Sequence, residues 1–161
     1  MPRRILIICH ANTSRSIIAE ALLKQMLTAR GLADHFTVRS GGIAAYARDG
    51  ALVSLDARLV LRDEGIDVPA DSVATDLKKN RHLISEADLI LAMTDEQIRM
   101  LRDGFPEARD KAIHTLRAFA GDPGDIEDPA GQDEAFFANC RDAIKVCLAR
   151  AIERLAQEPI G

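Results

Sequence analysis

Apolar residues fall into two periods along this chain, and the switches between them mark its elements. Ile5, Leu6, Ile7 and Ile8 form an unbroken apolar run, the mark of a strand buried on both faces. Beyond a short polar stretch the spacing becomes helical. Ile17, Ile18, Ala21, Leu22, Met26 and Leu27 share one side, and Glu20, Lys24 and Gln25 fall on the polar side. Gly31 is the expected stop. Residues 36–40 alternate like a second strand, which Gly41 and Gly42 are expected to break. The pattern predicts a helix over 52–64 ended by Gly65, a connector over 66–69 and a short helix over 77–86. A third buried strand is expected over 87–93, followed by a helix capped by Thr94, Asp95 and Glu96 and running to Asp103. A short fourth strand over 111–115 and a long helix over 133–156 complete the reading. The last helix carries an apolar stripe of Phe136, Phe137, Cys140, Ile144, Cys147, Leu148, Ala151 and Leu155.

Strands that alternate with helices imply a parallel sheet joined by right-handed crossovers. The expected class is therefore α/β: three layers, with a four-stranded parallel sheet and helices on both faces. No repeat, low-complexity tract or linker interrupts the chain, so one domain over residues 1–161 is expected. Sheets of this kind take ligands beyond the C-terminal ends of their strands. Cys9 and the loop after the fourth strand both fall at that edge.

Composition narrows the partners. Apolar content of 47% and charged content of 29% are ordinary for a globular protein, and a net charge of -4 gives no global reason to expect nucleic acid. No apolar run has the length of a membrane span. Met1, Pro2, Arg3 and Arg4 lead directly into a run too short for a signal-peptide core. The three cysteines, Cys9, Cys140 and Cys147, make no disulfide framework. A cytoplasmic protein is expected.

The chemistry concentrates where the first strand ends. Cys9 closes the apolar run, a five-residue spacer follows, and Arg15 and Ser16 open the helix. Backbone N–H groups and the helix dipole collect an anion at such a place. The same field favours the thiolate form of a cysteine held against it, and a thiolate is a nucleophile. Arginine adds a planar fork of donors matched to phosphate oxygens. Serine can donate to the sulfur. The Cys-x5-Arg spacing alone is common; its strand–loop–helix setting makes it specific.

The run Cys9-His10-Ala11-Asn12-Thr13-Ser14-Arg15-Ser16, followed by Ala19, Glu20 and Ala21, resembles the phosphate-binding loop of the low-molecular-weight protein tyrosine phosphatases. The resemblance extends along nearly the whole chain and confers its expectations. The reaction is hydrolysis of phosphotyrosine or an aryl phosphate in a phosphorylated protein, or of a small aryl phosphate, through a phosphocysteine. No cofactor and no metal are implied, and the scattered His35, His82 and His114 suggest no metal site. Inorganic phosphate, sulfate and vanadate are expected ligands; nucleic acid and membrane are not. Cys9 is the nucleophile, Arg15 holds the phosphoryl group, and Asp128, beside Pro129, is the general acid. Asp122, Asp125 and Glu127 compete for that role from the same loop. His10, Ala11, Asn12, Thr13, Ser14 and Ser16 surround the phosphate, with Asn12 bonded to Ser40. His10 is expected to turn its side chain outward and to act on specificity or electrostatics. Tyr46, the one tyrosine, is either an aromatic wall for the substrate or packs on its own scaffold.

Three positions depart from the family's pattern. Ala11 stands where glycine is usual, and its methyl would crowd the loop if the backbone there needs positive φ. Ser14 replaces a cysteine that would trap an oxidised nucleophile as a disulfide. Ala130 replaces an aromatic residue beside the acid. Thr13 resembles the bacterial protein arginine phosphatases, which makes phosphoarginine an alternative substrate. Two further alternatives are an arsenate reductase and a non-catalytic anion-binding module. The first needs extra cysteines, and none stands between Cys9 and Cys140. Cys140 and Cys147 would be about 10.5 Å apart along an intact helix, beyond the roughly 7 Å reach of a disulfide. The second rests on Ala11.

Overall fold

The computed structural model describes residues 2–157; Met1 and 158–161, the two ends of the expected domain, lie outside the described residues. Four strands form one sheet: β1 (Arg3–Cys9), β2 (Phe36–Gly42), β3 (Leu89–Ala92) and β4 (Ala112–Thr115). Their order is β2-β1-β3-β4 and every pairing is parallel. Six helices accompany them: α1 (Arg15–Ala29), α2 (Leu55–Arg62), α3 (His82–Glu86), α4 (Asp95–Gly104), α5 (Leu116–Phe119) and α6 (Glu134–Gln157). The α/β class, the parallel sheet and the helices on both faces are as the hydrophobic pattern predicts.

The pleat of β1 divides the core. Ile5, Ile7 and Cys9 face a cluster filled by α1, α2, α5 and α6, including Leu22, Leu61, Phe119 and Leu148. Leu6 and Ile8 face the other way, onto Leu77, Ile84 of α3 and Leu101 of α4. Travel along the sheet reverses between the β1-to-β2 and β3-to-β4 connections. Crossovers of one hand then place α1 and α4 on opposite faces. The reversal opens a crevice beyond β1 and β3, and the loop after Cys9 occupies it.

Several element ends differ from the expected ones, each for a tertiary reason. Gly41 and Gly42 do not break β2; they pair with Ile8 and Cys9. A Cβ on Gly41 would lie 2.4 Å from Leu77, and one on Gly42 would lie 2.7 Å from the His10 carbonyl oxygen. Glycine there is an approach distance and not a turn. The helix expected from Leu52 starts at Leu55, because Leu52 bridges to Val73 and Ser54 caps the helix by accepting from the Ala57 amide. The helix expected over 77–86 begins only at His82, since the Leu77 amide donates to the Gly42 carbonyl at 2.9 Å and that segment turns instead. Phe136 is 37% exposed and outside the α6 stripe, whereas Phe137 is buried in it. The short α5 has no counterpart in the sequence pattern; Thr115 caps it by accepting from the Ala118 amide.

The close approach at Gly42 is testable. Gly42→Ala should destabilise the protein by roughly 1–3 kcal/mol, as overpacking does. Gly104→Ala ends α4 with nothing within 4 Å and should stay within ~1 kcal/mol of wild type. Urea unfolding of the two variants gives the comparison; equal midpoints would remove the contact from the account.

Candidate active site

The loop after β1 is held by its carbonyls. Those of Cys9, His10, Thr13 and Ser14 accept from the amides of Ile43 (3.1 Å), Ala44 (3.0 Å), Ser54 (2.9 Å) and Ile18 (2.9 Å). With its carbonyls engaged by neighbouring backbone, the loop can turn amides inward. The Asn12 amide donates to Cys9 Sγ at 3.3 Å. The first-turn amides of α1 have no partner within their helix, and amides at such a place can hold an anion.

Asn12 carries the loop's strain. Its φ is +61°, and it is the one non-glycine residue with positive φ among the described residues. Ala11 is therefore outside the left-handed region, and the expected crowding by its methyl does not arise. Every polar atom of the Asn12 side chain is bonded. Nδ2 donates to Ser16 Oγ at 2.7 Å and to Ser40 Oγ at 2.9 Å, and Oδ1 accepts from the Thr75 amide at 2.8 Å. Because Ser16 Oγ already accepts from Asn12, its own hydrogen is left for Cys9 Sγ, 2.8 Å away. Ser40 in turn donates to the Glu20 carboxylate, which Lys24 Nζ meets at 2.7 Å.

Arg15 is 3% exposed. Its Nη1 donates to the Ile126 carbonyl at 2.7 Å, and its Nη2 lies 3.2 Å from His10 Nδ1 and 3.7 Å from Asp128 Oδ2. The guanidinium thus joins the loop after β1 to the acidic loop that precedes α6. That loop sorts its acids. Asp122 pairs with Arg117 at 3.0 Å. Asp125 accepts from the Asp95 amide at 3.0 Å and so ties the loop to the start of α4. Asp128 lines a cavity of about 140 Å³ together with Cys9, His10, Thr13, Arg15 and Tyr46. Its Oδ1 accepts from the Ala130 amide at 3.0 Å.

Ala11 and Ser14 line the same cavity, as does Ala130. Asn12 and Ser16 do not; they are buried behind Cys9 and bear on the cavity through its sulfur. Tyr46 stands 66% exposed at the cavity edge instead of packing on its scaffold. His10 departs from expectation. Its ring does not point outward but is half-buried, with Nδ1 facing both Arg15 and Gln97 Nε2, the latter at 3.3 Å. The periodicity gave no hint of Gln97, Thr75 or the Glu20 carboxylate. Only Gln97 carried a usable signal, since it stands three residues after the capping Thr94. Among the described residues no group of His, Cys, Asp and Glu side chains is arranged to hold a metal ion, and no helix is long and apolar enough to cross a membrane.

The geometry has known counterparts. The family described as low molecular weight phosphotyrosine protein phosphatase matches residues 4–159. A protein-arginine-phosphatase of Geobacillus stearothermophilus is 36% identical over 158 residues, covering 98% of this chain and 99% of its own. The low molecular weight protein-tyrosine-phosphatase Ptp of Acinetobacter johnsonii is 33% identical over 147 residues, covering 91% and 94%. Among solved structures, a mutant of the YwlE arginine phosphatase with a phosphorylated active-site serine superposes with a TM-score of 0.86. It is 29% identical and covers 96% of this chain and 97% of its own.

The remaining thiols are buried and free. Burial pushes the Cys140 thiol from its ordinary 9.0 up to about 11; Arg15 opposes the rise, and Asp128 and Cys9 add to it. Cys147 is raised as well, by burial first. A thiol that holds its proton more tightly when folded contributes stability below its unfolded value and loses it as pH climbs to the folded one. The unfolding free energy should therefore fall by ~2–3 kcal/mol between about pH 9 and 11 on account of Cys140. Cys140→Ala should flatten the profile in that window. Urea titrations across the range measure it, and parallel profiles for variant and wild type would contradict the assignment.

Proposed function

The chain belongs to the low molecular weight phosphotyrosine protein phosphatase family, and from that premise we propose that Cys9, Arg15 and Asp128 hydrolyse phosphorylated protein at this cavity. The observation that carries the reading is the placement of the Cys9 sulfur. It accepts from the Asn12 amide and lies against Ser16 Oγ, in one cavity with a buried arginine and a half-exposed carboxyl group.

The reaction runs in two steps. The Cys9 thiolate attacks phosphorus, an S–P bond forms, and the bond to the leaving oxygen breaks. Asp128 gives that oxygen its proton. Arg15, the inward amides and the α1 N-terminus hold the phosphoryl oxygens as charge shifts across them. Water then attacks the phosphocysteine and Asp128 takes its proton. The S–P bond breaks, and inorganic phosphate leaves Cys9 as a thiolate stabilised by Ser16 and the Asn12 amide. The phosphorylated active-site serine of the YwlE mutant supports a covalent intermediate. Phosphate, sulfate and vanadate are the expected inhibitors.

Phosphotyrosine, or an aryl phosphate, is the leading substrate class, because Tyr46 stands free at the cavity edge as a surface for a ring. One observation favours a second reading. Thr13 lines the cavity, and a hydroxyl suits a guanidinium leaving group where an aliphatic residue would suit a phenyl ring. The Geobacillus relative is named a protein-arginine-phosphatase. We assign the enzyme to the cytoplasm, where Cys9, Cys140 and Cys147 stay reduced, and read residues 1–161 as one catalytic domain.

Cys9→Ser should abolish turnover of an aryl phosphate while the thermal midpoint stays near that of wild type. Asp128→Asn should slow hydrolysis roughly 10²–10⁴-fold for substrates with poor leaving groups and much less for activated ones, which need little protonation. Steady-state rates on a series of aryl phosphates test both. A loss independent of leaving group would show that Asp128 acts on structure alone.

For the substrate class, kcat/KM on phosphotyrosine and phosphoarginine peptides is compared in wild type and Thr13→Ile. If Thr13 selects the leaving group, the substitution should depress phosphoarginine turnover and spare or raise phosphotyrosine turnover. A parallel change in both would take Thr13 out of the specificity.

A further inference from the structure

Gln97 is fully buried, at the third position of α4. Its Oε1 accepts from the amides of Met93 at 2.9 Å and Thr94 at 3.2 Å. Two N–H donors converge on that atom, so it is the oxygen, and the Gln97 side chain cannot be turned end for end. The Nε2 group is thereby aimed at His10 Nδ1, 3.3 Å away. Arg15 Nη2 lies 3.2 Å from the same ring nitrogen. Both neighbours carry only hydrogens to offer, for arginine has no acceptor and the amide nitrogen of Gln97 has none.

From this we infer that Gln97 is a positioning residue: it holds His10 as the neutral tautomer protonated at Nε2, and His10 Nδ1 then serves as an acceptor that orients Arg15. The inference rests on the phosphatase reading for its kinetic consequence but not for its structural content. A proton on Nδ1 would face two donors and lose both bonds. With Nδ1 unprotonated, the guanidinium is held at one nitrogen by the Ile126 carbonyl and at the other by His10. The fork is then fixed in plane before substrate arrives, and its remaining N–H groups are left for phosphoryl oxygens. The start of α4 is in this way wired to the phosphate loop. The Gln97 bond to the Thr94 amide completes the helix's capping box and the bond to Met93 adds a second anchor, so the element that fixes the tautomer is itself fixed by backbone.

The experiment uses two readouts. Long-range ¹H–¹⁵N correlation spectra of ligand-free protein at neutral pH report the His10 tautomer, with His10→Asn used to assign the ring. Wild type should show Nε2 protonated and Nδ1 bare. Gln97→Glu keeps an oxygen for the Met93 and Thr94 amides but replaces the donor facing His10 with an acceptor. It should move the proton to Nδ1 and lower kcat/KM by roughly tenfold to a hundredfold, with the thermal midpoint showing the protein folded. His10→Leu should lose a similar factor. His10→Asn places an amide oxygen near the Nδ1 position and should recover most of the loss, which a merely space-filling role would not predict. An Nδ1-protonated ring in wild type, or a tautomer unmoved by Gln97→Glu, would overturn the inference. So would equal activity in His10→Leu and wild type. A wild-type protein with the Nε2–H tautomer but no phosphatase activity would sink the proposed function and leave the tautomer assignment intact.

Discussion

The site depends on the side-chain amide of Asn12. A left-handed backbone costs an ordinary residue about 1–2 kcal/mol, and Asn12 adopts it at 1% exposure. Hydrogen bonds of about 0.5–1.5 kcal/mol each offset that cost. The side chain makes three, to Ser16, Ser40 and the Thr75 backbone. The same bonds join α1, β2 and the segment after α2 at one point. They also leave the Ser16 hydroxyl hydrogen for the sulfur of Cys9. Strain, scaffold and the Cys9 sulfur are thus one network, and Glu20 with Lys24 anchors its far end.

What the sequence disclosed follows from range. The run from Ile5 to Ile8 was legible because a strand covered on both faces must be apolar throughout, and both clusters of the core meet it. The pairing of Cys9 with Arg15 and its strand–loop–helix setting were legible because they are neighbours in the chain. Gly41 and Gly42 were misread because a glycine pair looks like a break locally, while the need for glycine came from Leu77 and from the loop at His10. The ring of His10 was misplaced for the same reason: Gln97, which fixes it, stands 87 positions away. Among the acids before α6, spacing could not separate Asp125 from Asp128. Their partners do, since one caps α4 and the other lines the cavity.

The arginine resolves an electrostatic difficulty in the design. A cation at 3% exposure carries a desolvation cost that must be met by partners. Here the partners are a backbone carbonyl, a histidine ring nitrogen and a carboxyl group held at the longer distance of 3.7 Å. In the proposed function, an incoming phosphoryl dianion would add to these partners. A larger cavity, about 820 Å³, lies elsewhere, between α1 and the segment after α2, and reaches Asn12 and Ser40 from behind. The proposed reaction centre is the smaller cavity, where charge and sulfur converge.

The bond from Arg15 to the Ile126 carbonyl spans 111 positions of chain. A ribosome releases β1, its loop and the whole of α1 long before the residues that anchor the guanidinium exist. α6, which packs on α1, emerges later still. A growing chain therefore carries Cys9 before the carbonyl that fixes Arg15 has been made. In the proposed reading, an incomplete chain would not turn over phosphorylated protein at the ribosome.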